Sequence, residues 1–302
     1  MTDPATLSRS ARLAGVLALG AFWGLSPALY KAMGQAGVPI THILAITGFG
    51  VGFGLIAIQA AVGQRLQLDR ATLLYGLGCG VLLNVPFAFS LYFSRHLPVT
   101  VYAMVTATSP LMTFTLAALL GLERVTAARA LALLLGLTST IVLILTANGA
   151  ELGGSASFIG LAFVTPMLYA FYNIFCQRAW PKGMEPLTAG IVESFASALL
   201  AVPFLFWLEP PRLAMTDAGF LTGYWTVALA TLMWVLERVA FFQLIRGAGA
   251  TTTVQAVYVS TPAGVLFGML LYSEPPTIWL ALSLGLLLAA LWLNNRGKIA
   301  AL

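Results

Sequence analysis

Apolar residues in this chain come in runs of about twenty, separated by short polar breaks. Ten such runs can be bounded, near residues 11–33, 40–63, 71–94, 98–120, 127–147, 157–178, 187–208, 218–245, 250–272 and 277–294. A run of that length matches an α-helix crossing a hydrocarbon layer of about 30 Å. The strands of a membrane β-barrel would instead show alternating segments of roughly ten residues. The breaks carry Gly, Pro or charge, as helix ends do, for example at 34–39, 64–70, 121–126, 181–186 and 274–276. None of them is long enough for a soluble domain. The pattern predicts an all-α polytopic membrane protein with ten transmembrane helices.

The runs also repeat. Residues 98–124 read PVTVYAMVTATSPLMTFTLAALLGLER, with Ser109-Pro110 in the middle. Residues 249–274 return to that pattern with Thr261-Pro262 in the middle and Glu274 at the end. Likewise, Ser26-Pro27-Ala28-Leu29-Tyr30 in the first run is answered by Thr165-Pro166-Met167-Leu168-Tyr169 in the sixth. Two related halves follow, residues 1–150 and 151–302, with five runs each. An odd number of crossings makes the second copy enter the membrane in the opposite direction to the first. Two inverted five-helix repeats around a central cavity are therefore expected, an architecture common among secondary transporters.

Composition agrees with a membrane setting. The 302 residues are 60% hydrophobic and only 8% charged, with a mean hydropathy of +0.93, whereas soluble domains carry about 25% charged residues. The breaks alternate in charge. With the N-terminus inside, eleven basic residues fall on cytoplasmic segments and only Lys31, Arg95 and Arg212 on the outer ones. That bias places both termini in the cytoplasm. It also accounts for the net charge of +5 without nucleic acid. Arg9 and Arg12 precede a run reaching about Ala32 with no clear small-residue cleavage site, so the run is expected as a first span and not a signal peptide.

Candidate chemistry is sparse. Cys79 and Cys176 lie inside apolar runs and read as buried small hydrophobes. His42 and His96 are isolated, so no metal site is expected. There is no phosphate-binding loop, no arguable nucleophile–base pair and no nucleotide-binding domain. The sequence thus points away from an enzyme and from any cofactor. Its expected partners are the lipid bilayer and a small-molecule solute, carried by facilitation or against an ion gradient.

The polar groups inside the runs are the candidates for that work. Proline removes a helix hydrogen bond and frees a carbonyl, which membranes tolerate where neighbours or a wet cavity satisfy it. Pro27, Pro110, Pro166 and Pro262, at matched places in the halves, are candidate hinges. Glu237 and Arg238 lie deep in the eighth run, about 100° apart on a helix, so they are not expected to face each other. Glu237 is the candidate coupling group, because an intramembrane acid is costly and by default functional. Glu193 lies within snorkelling range of the interface and reads as structural, and Lys31 as an interfacial anchor. Aromatic residues at Trp23, Tyr30, Tyr102, Tyr169, Trp234 and Tyr258, with Thr106 and the amides Asn84, Asn173 and Gln255, are the candidate cavity lining.

Trp23-Gly24 followed by Lys31, Ser109-Pro110 leading to Gly121-x-Glu123-Arg124-x-Thr126, and Thr261-Pro262 leading to Glu274 together resemble the EamA-type transporters of the drug/metabolite transporter superfamily. The resemblance covers nearly the whole chain. The second copy departs from it, with Ser273-Glu274-Pro275 where Gly-x-Glu is usual. Within the superfamily the chain is most similar to the bacterial YddG-type aromatic amino-acid exporters. That likeness implies a basket of helices lined mainly by the first, third, fourth, sixth, eighth and ninth spans, with the fifth and tenth outside, and export across the inner membrane. The residues themselves leave amino acids, organic cations and a passive metabolite channel open, and they do not fix the oligomeric state.

Overall fold

The computed structural model describes residues 8–121, 125–147, 156–205 and 218–299. Among the described residues every regular element is helical. In order they are α1 (Arg9–Gln35), α2 (Ile40–Ala61), α3 (Arg70–His96), α4 (Val99–Thr106), α5 (Ser109–Leu119), α6 (Ala127–Ala147), α7 (Ala156–Ala162), α8 (Val164–Arg178), α9 (Pro186–Ala201), α10 (Ala218–Thr253), α11 (Val257–Tyr272) and α12 (Ile278–Ile299). Two single 3-10 turns, Val202–Phe204 and Val254–Ala256, extend α9 and join α10 to α11. Among the described residues seven stretches are long and apolar enough to cross a membrane: α1, α2, α3, α4 with α5, α7 with α8, α9 with its turn, and α10. Shorter apolar stretches, Ala127–Leu143, Val257–Tyr272 and Ile278–Asn294, lie in α6, α11 and α12.

The helix starts have local causes. Ser8 accepts from the Ala11 amide at 3.1 Å and opens α1, and Asp69 accepts from the Thr72 amide at 2.7 Å and opens α3. The prolines act in two ways. At Ser109-Pro110 the expected single helix is broken, and Pro110 sits in the first turn of α5, where its missing N–H costs nothing. The sixth run is likewise divided at Phe163, just before Thr165-Pro166. Pro27 and Pro262 instead lie inside unbroken helices. There the preceding hydroxyl bonds back one turn, Ser26 to the Phe22 carbonyl at 2.9 Å and Thr261 to the Val257 carbonyl at 2.7 Å. Breaks thus appear at two of the four candidate hinges. α10 also runs further than the polar residues 246–249 suggested, reaching Thr253.

Helix ends explain the departure noted in the second repeat. Gly121, after α5, has φ +68°, and Ser273, after α11, has φ +53°. Both residues occupy the left-handed position that closes a helix, which glycine takes without steric cost. Ser273 therefore does the job of Gly121 at about 1 kcal/mol of backbone cost. Glu123 and Arg124 of the first copy lie outside the described residues.

Close helix pairs follow from small residues. A Cβ at Gly48 of α2 would sit 2.8 Å from the Ala198 Cβ of α9, and one at Gly80 of α3 would sit 2.8 Å from the Ser197 amide. α9 is held between α2 and α3 in this way. α1 packs on α10 and α11, and α6 packs mainly on α12, where Ser139 and Ser283 exchange hydroxyl-to-carbonyl bonds at 2.8 and 2.9 Å. On the outside, Leu73, Leu77, Val81 and Val85 make an exposed stripe on α3, and Trp225, Leu229, Leu232 and Leu236 are exposed on α10. Such stripes are stable only against hydrocarbon.

Candidate functional site

A cavity of about 170 Å³ lies among α1, α2, α3, α4, the start of α5, α8, α9, α10 and α11. α6 and α12 contribute nothing to its wall, whereas α2 and α9, which the family likeness left out, do, through Thr47, Val51, Ser194 and Ser197. Seven of the ten expected lining residues meet there: Trp23, Tyr30, Tyr102, Thr106, Tyr169, Asn173 and Trp234, joined by Pro27 and Glu237.

Three expected residues do not line it. Asn84 donates to the Ser197 carbonyl at 2.8 Å and accepts from the Ser197 hydroxyl, so its amide ties α3 to α9. Tyr258 donates to the Leu291 carbonyl, which turns its ring toward α12. Gln255 falls in the 3-10 turn between α10 and α11 and is half-buried outside the lining. All three were expected from mid-run position alone, and a helix apolar on every side does not say which face turns inward.

One wall is aromatic. Tyr30, Phe87 and Trp234 form a triangle with ring centroids 5.2 to 5.8 Å apart. Trp23 lies 6.3 Å from Phe241, which stacks on Tyr172 at 5.9 Å. Tyr102 is fully buried, and its hydroxyl lies beside Ser90 and Thr165 without a hydrogen bond. Ser90 and Tyr169 hydroxyls are 3.3 Å apart.

The other wall is charged, and here the sequence expectation is corrected. Glu237 and Arg238 do face each other, with Arg238 Nε 3.5 Å from Glu237 Oε2. The arginine side chain is long enough to fold back over its neighbour. It does so because Glu193 draws it: Arg238 Nε is also 3.3 Å from Glu193 Oε1. Glu193 is wholly buried inside the protein and does not reach its surface. Tyr172 donates to Glu193 Oε2 at 2.6 Å and accepts from Arg238 at 3.1 Å. Trp23 donates its indole N–H to Glu237 Oε1 at 2.8 Å. Four helices, α1, α8, α9 and α10, thus converge on one charged network. A charge inside a membrane costs several kcal/mol unless it is paired, and that rule is the signal that joins Glu193 to Arg238. The Cys79 and Cys176 sulfurs, 3.6 Å apart, lie against the same network.

A second polar cluster lies at the far end of α1. Lys31 is not a free interfacial anchor, since its Nζ is 3.3 Å from Glu274 Oε1 and 4.9 Å from the Tyr272 ring centroid. Glu274 also accepts from the Val99 and Thr100 amides at 2.6 and 2.8 Å, capping α4. Tyr272 donates to the Ala28 carbonyl at 2.8 Å.

Among the described residues, the apolar helices with their exposed apolar stripes, buried charge and interior cavity are those of a multi-pass membrane protein. It belongs to the EamA-like transporter family, whose model matches twice, over residues 12–145 and 156–296. Members of that family are transporters and not enzymes. A solved structure described only as "Crystal structure of protein" shares the fold, with a TM-score of 0.70 and 18% identity over 97% of this chain and 99% of the other. No curated protein matches the chain.

Proposed function

We propose that this chain is a secondary transporter exporting aromatic and other neutral amino acids across the bacterial inner membrane by alternating access. In this reading ten spans form two inverted five-helix halves, residues 1–150 and 151–302, with both termini cytoplasmic. The YddG-like features of the sequence and the inward bias of its basic residues support that arrangement. The observation that carries the substrate is the cavity's two-sided wall. An aromatic side chain finds Tyr30, Phe87 and Trp234 on one side. An α-ammonium finds Glu237 and an α-carboxylate finds Arg238 on the other. Ring stacking against such a wall is worth about 0.5–1.5 kcal/mol beyond area burial, and it favours phenylalanine and tryptophan over alanine.

The test is uptake of radiolabelled amino acids into proteoliposomes. Phenylalanine and tryptophan are carried and glutamate poorly. Truncating Tyr102 or Trp234 to Ala lowers phenylalanine transport about tenfold while alanine transport changes less. Protein that carries glutamate or a quaternary cation and ignores phenylalanine would overturn the proposal.

A further inference from the structure

The charged network has an odd balance. Among the described residues it holds two carboxylates, Glu193 and Glu237, around one guanidinium, Arg238. Glu193 is wholly buried, and the side chains of Glu237 and Arg238 are 6% and 16% exposed. One guanidinium neutralises one carboxylate and leaves a unit of negative charge in a region where an unpaired ion is among the costliest things to bury. Two groups this close give up their protons in separate steps that belong to the pair.

Among the described residues no other neighbour supplies the missing positive charge. On α8 the titratable groups facing Glu193 are Tyr169, Tyr172 and Cys176, and on α3 they are Tyr75 and Cys79. Phenols and thiols offer no cation. α2, also packed on α9, has His42 as its one titratable residue, and that ring is engaged with Tyr224 at 3.0 Å. From α1 come the Trp23 indole and Tyr30. Glu193 Oε1 accepts no hydrogen bond and meets only the Arg238 Nε that Glu237 also contacts, so one guanidinium is shared between two carboxylates. Glu237, by contrast, lines the cavity together with Trp23 and Phe241.

We propose that the Glu193–Arg238–Glu237 cluster holds one shared proton, and that the cavity admits the monocationic amine of an aromatic solute in exchange for it. The amine takes the carboxylate of Glu237, and its ring takes the aromatic wall, where cation–π attraction to Trp23 and Phe241 adds to the pairing. Arg238 then passes wholly to Glu193, whose proton leaves to solvent in the cavity. The balance is one cation in and one proton out, with the cluster neutral before and after. A zwitterion such as phenylalanine brings no net charge and leaves the proton in place. The exchange rests on the cavity being the solute site proposed above, whereas the shared proton does not.

Two measurements on the purified full chain in lipid nanodiscs test this. The first is infrared spectroscopy across a pH titration without solute. A protonated-carboxyl band that disappears on alkalinisation is expected in the wild type. It is absent in both E193Q and E237Q, because either change leaves one carboxylate facing one guanidinium. If E193Q does not give a monodisperse protein, E237Q carries the same expectation. No such band in the wild type, or a band that survives E237Q, overturns the proposal. The second is calorimetric binding of phenethylamine and phenylalanine against pH. Phenethylamine affinity rises roughly tenfold per pH unit through the titration, and phenylalanine affinity stays flat. Phenethylamine that fails to bind, or binds equally at all pH values, also overturns it. Phenethylamine bound with the expected slope while phenylalanine is ignored sinks the amino-acid reading and leaves the proton exchange standing. Phenylalanine bound with no infrared band does the reverse.

Discussion

Glu274 offers a perturbation whose size can be worked from the structure. α4 begins at Val99 behind Pro98, which has no side chain able to cap it. Its first amides are instead capped from 175 residues away, by Glu274, whose two oxygens take the Val99 and Thr100 N–H groups. A helix N-terminus carries partial positive charge, so a carboxylate suits it. Losing an ordinary N-cap costs about 0.5–2 kcal/mol, and here two charge-assisted bonds go together. With Lys31 left unpaired as well, Glu274→Ala should cost about 3 kcal/mol. For a chain of this size 1 kcal/mol corresponds to roughly 2 °C in Tm, so a fall of roughly 6 °C is predicted. Glu274→Gln keeps one acceptor and should lose about half as much. Lys31→Met removes only a partly exposed ion pair, worth at most about 1 kcal/mol, or roughly 2 °C. Thermal unfolding in detergent, followed by size-exclusion fluorescence, measures all three. If Lys31→Met costs as much as Glu274→Ala, the ion pair and not the helix cap dominates, and the reasoning fails.

Three further outcomes are predicted. Ser273→Gly should raise Tm by roughly 2 °C, because the left-handed φ of +53° no longer meets a Cβ; an unchanged or lowered Tm would contradict it. Gly24→Ala should destabilise by about 1–3 kcal/mol, since its Cβ would lie 2.7 Å from the Ala263 Cβ and 2.9 Å from the Ser260 carbonyl. Gly160→Ala, whose Cβ meets nothing within 4 Å, is the control, and equal effects at both would refute the close approach of α1 and α11. For topology, single cysteines at Asn148 and Asp217 in a cysteine-free background should react with an impermeant thiol reagent from outside, and those at Gln67 and Lys182 should not. Lys182 is exposed, and the opposite labelling pattern would reverse the orientation.

Much of the architecture was legible because a bilayer constrains sequence more than water does. A twenty-residue apolar run has few other uses, and Ser109-Pro110 marks where a helix divides. What stayed hidden was the direction in which side chains point. Asn84, Tyr258 and Gln255 looked like Asn173 and Tyr102, polar or aromatic at mid-run, yet only the latter two reach the cavity. Glu193 looked peripheral because depth was counted from the end of its run, and its actual partner lies 45 residues further along the chain. Lys31 and Glu274, 243 residues apart, could be joined only by folding. Long-range ionic pairs leave no periodicity to read.

The same long-range pairing bears on how the protein moves. The heaviest packing joins α1 to α11 and α10, α2 to α9 and α10, α3 to α9 and α8, α4 to α11, and α6 to α12. Every one of these pairs brings residues before 150 against residues after it. The sequence halves are therefore interlocked in space and are not two lobes with a cleft between them. A rocking motion of one intact half against the other would have to break all of those interfaces at once, including the α2–α9 and α3–α9 contacts where glycine brings backbones together. The chain's discontinuities lie elsewhere, at Ala107-Thr108 between α4 and α5, at Phe163 between α7 and α8, and at residues 254–256 between α10 and α11. In the alternating access proposed above, the half-helices beyond those breaks can swing while the interlocked pairs stay packed, so that the cavity between them opens to one side at a time. Bridging the first break tests this directly. Thr108→Ala with Pro110→Ala restores helix propensity and a backbone donor across the break. Stability should hold or rise while transport falls, and a variant that transports at the wild-type rate would place the hinge elsewhere.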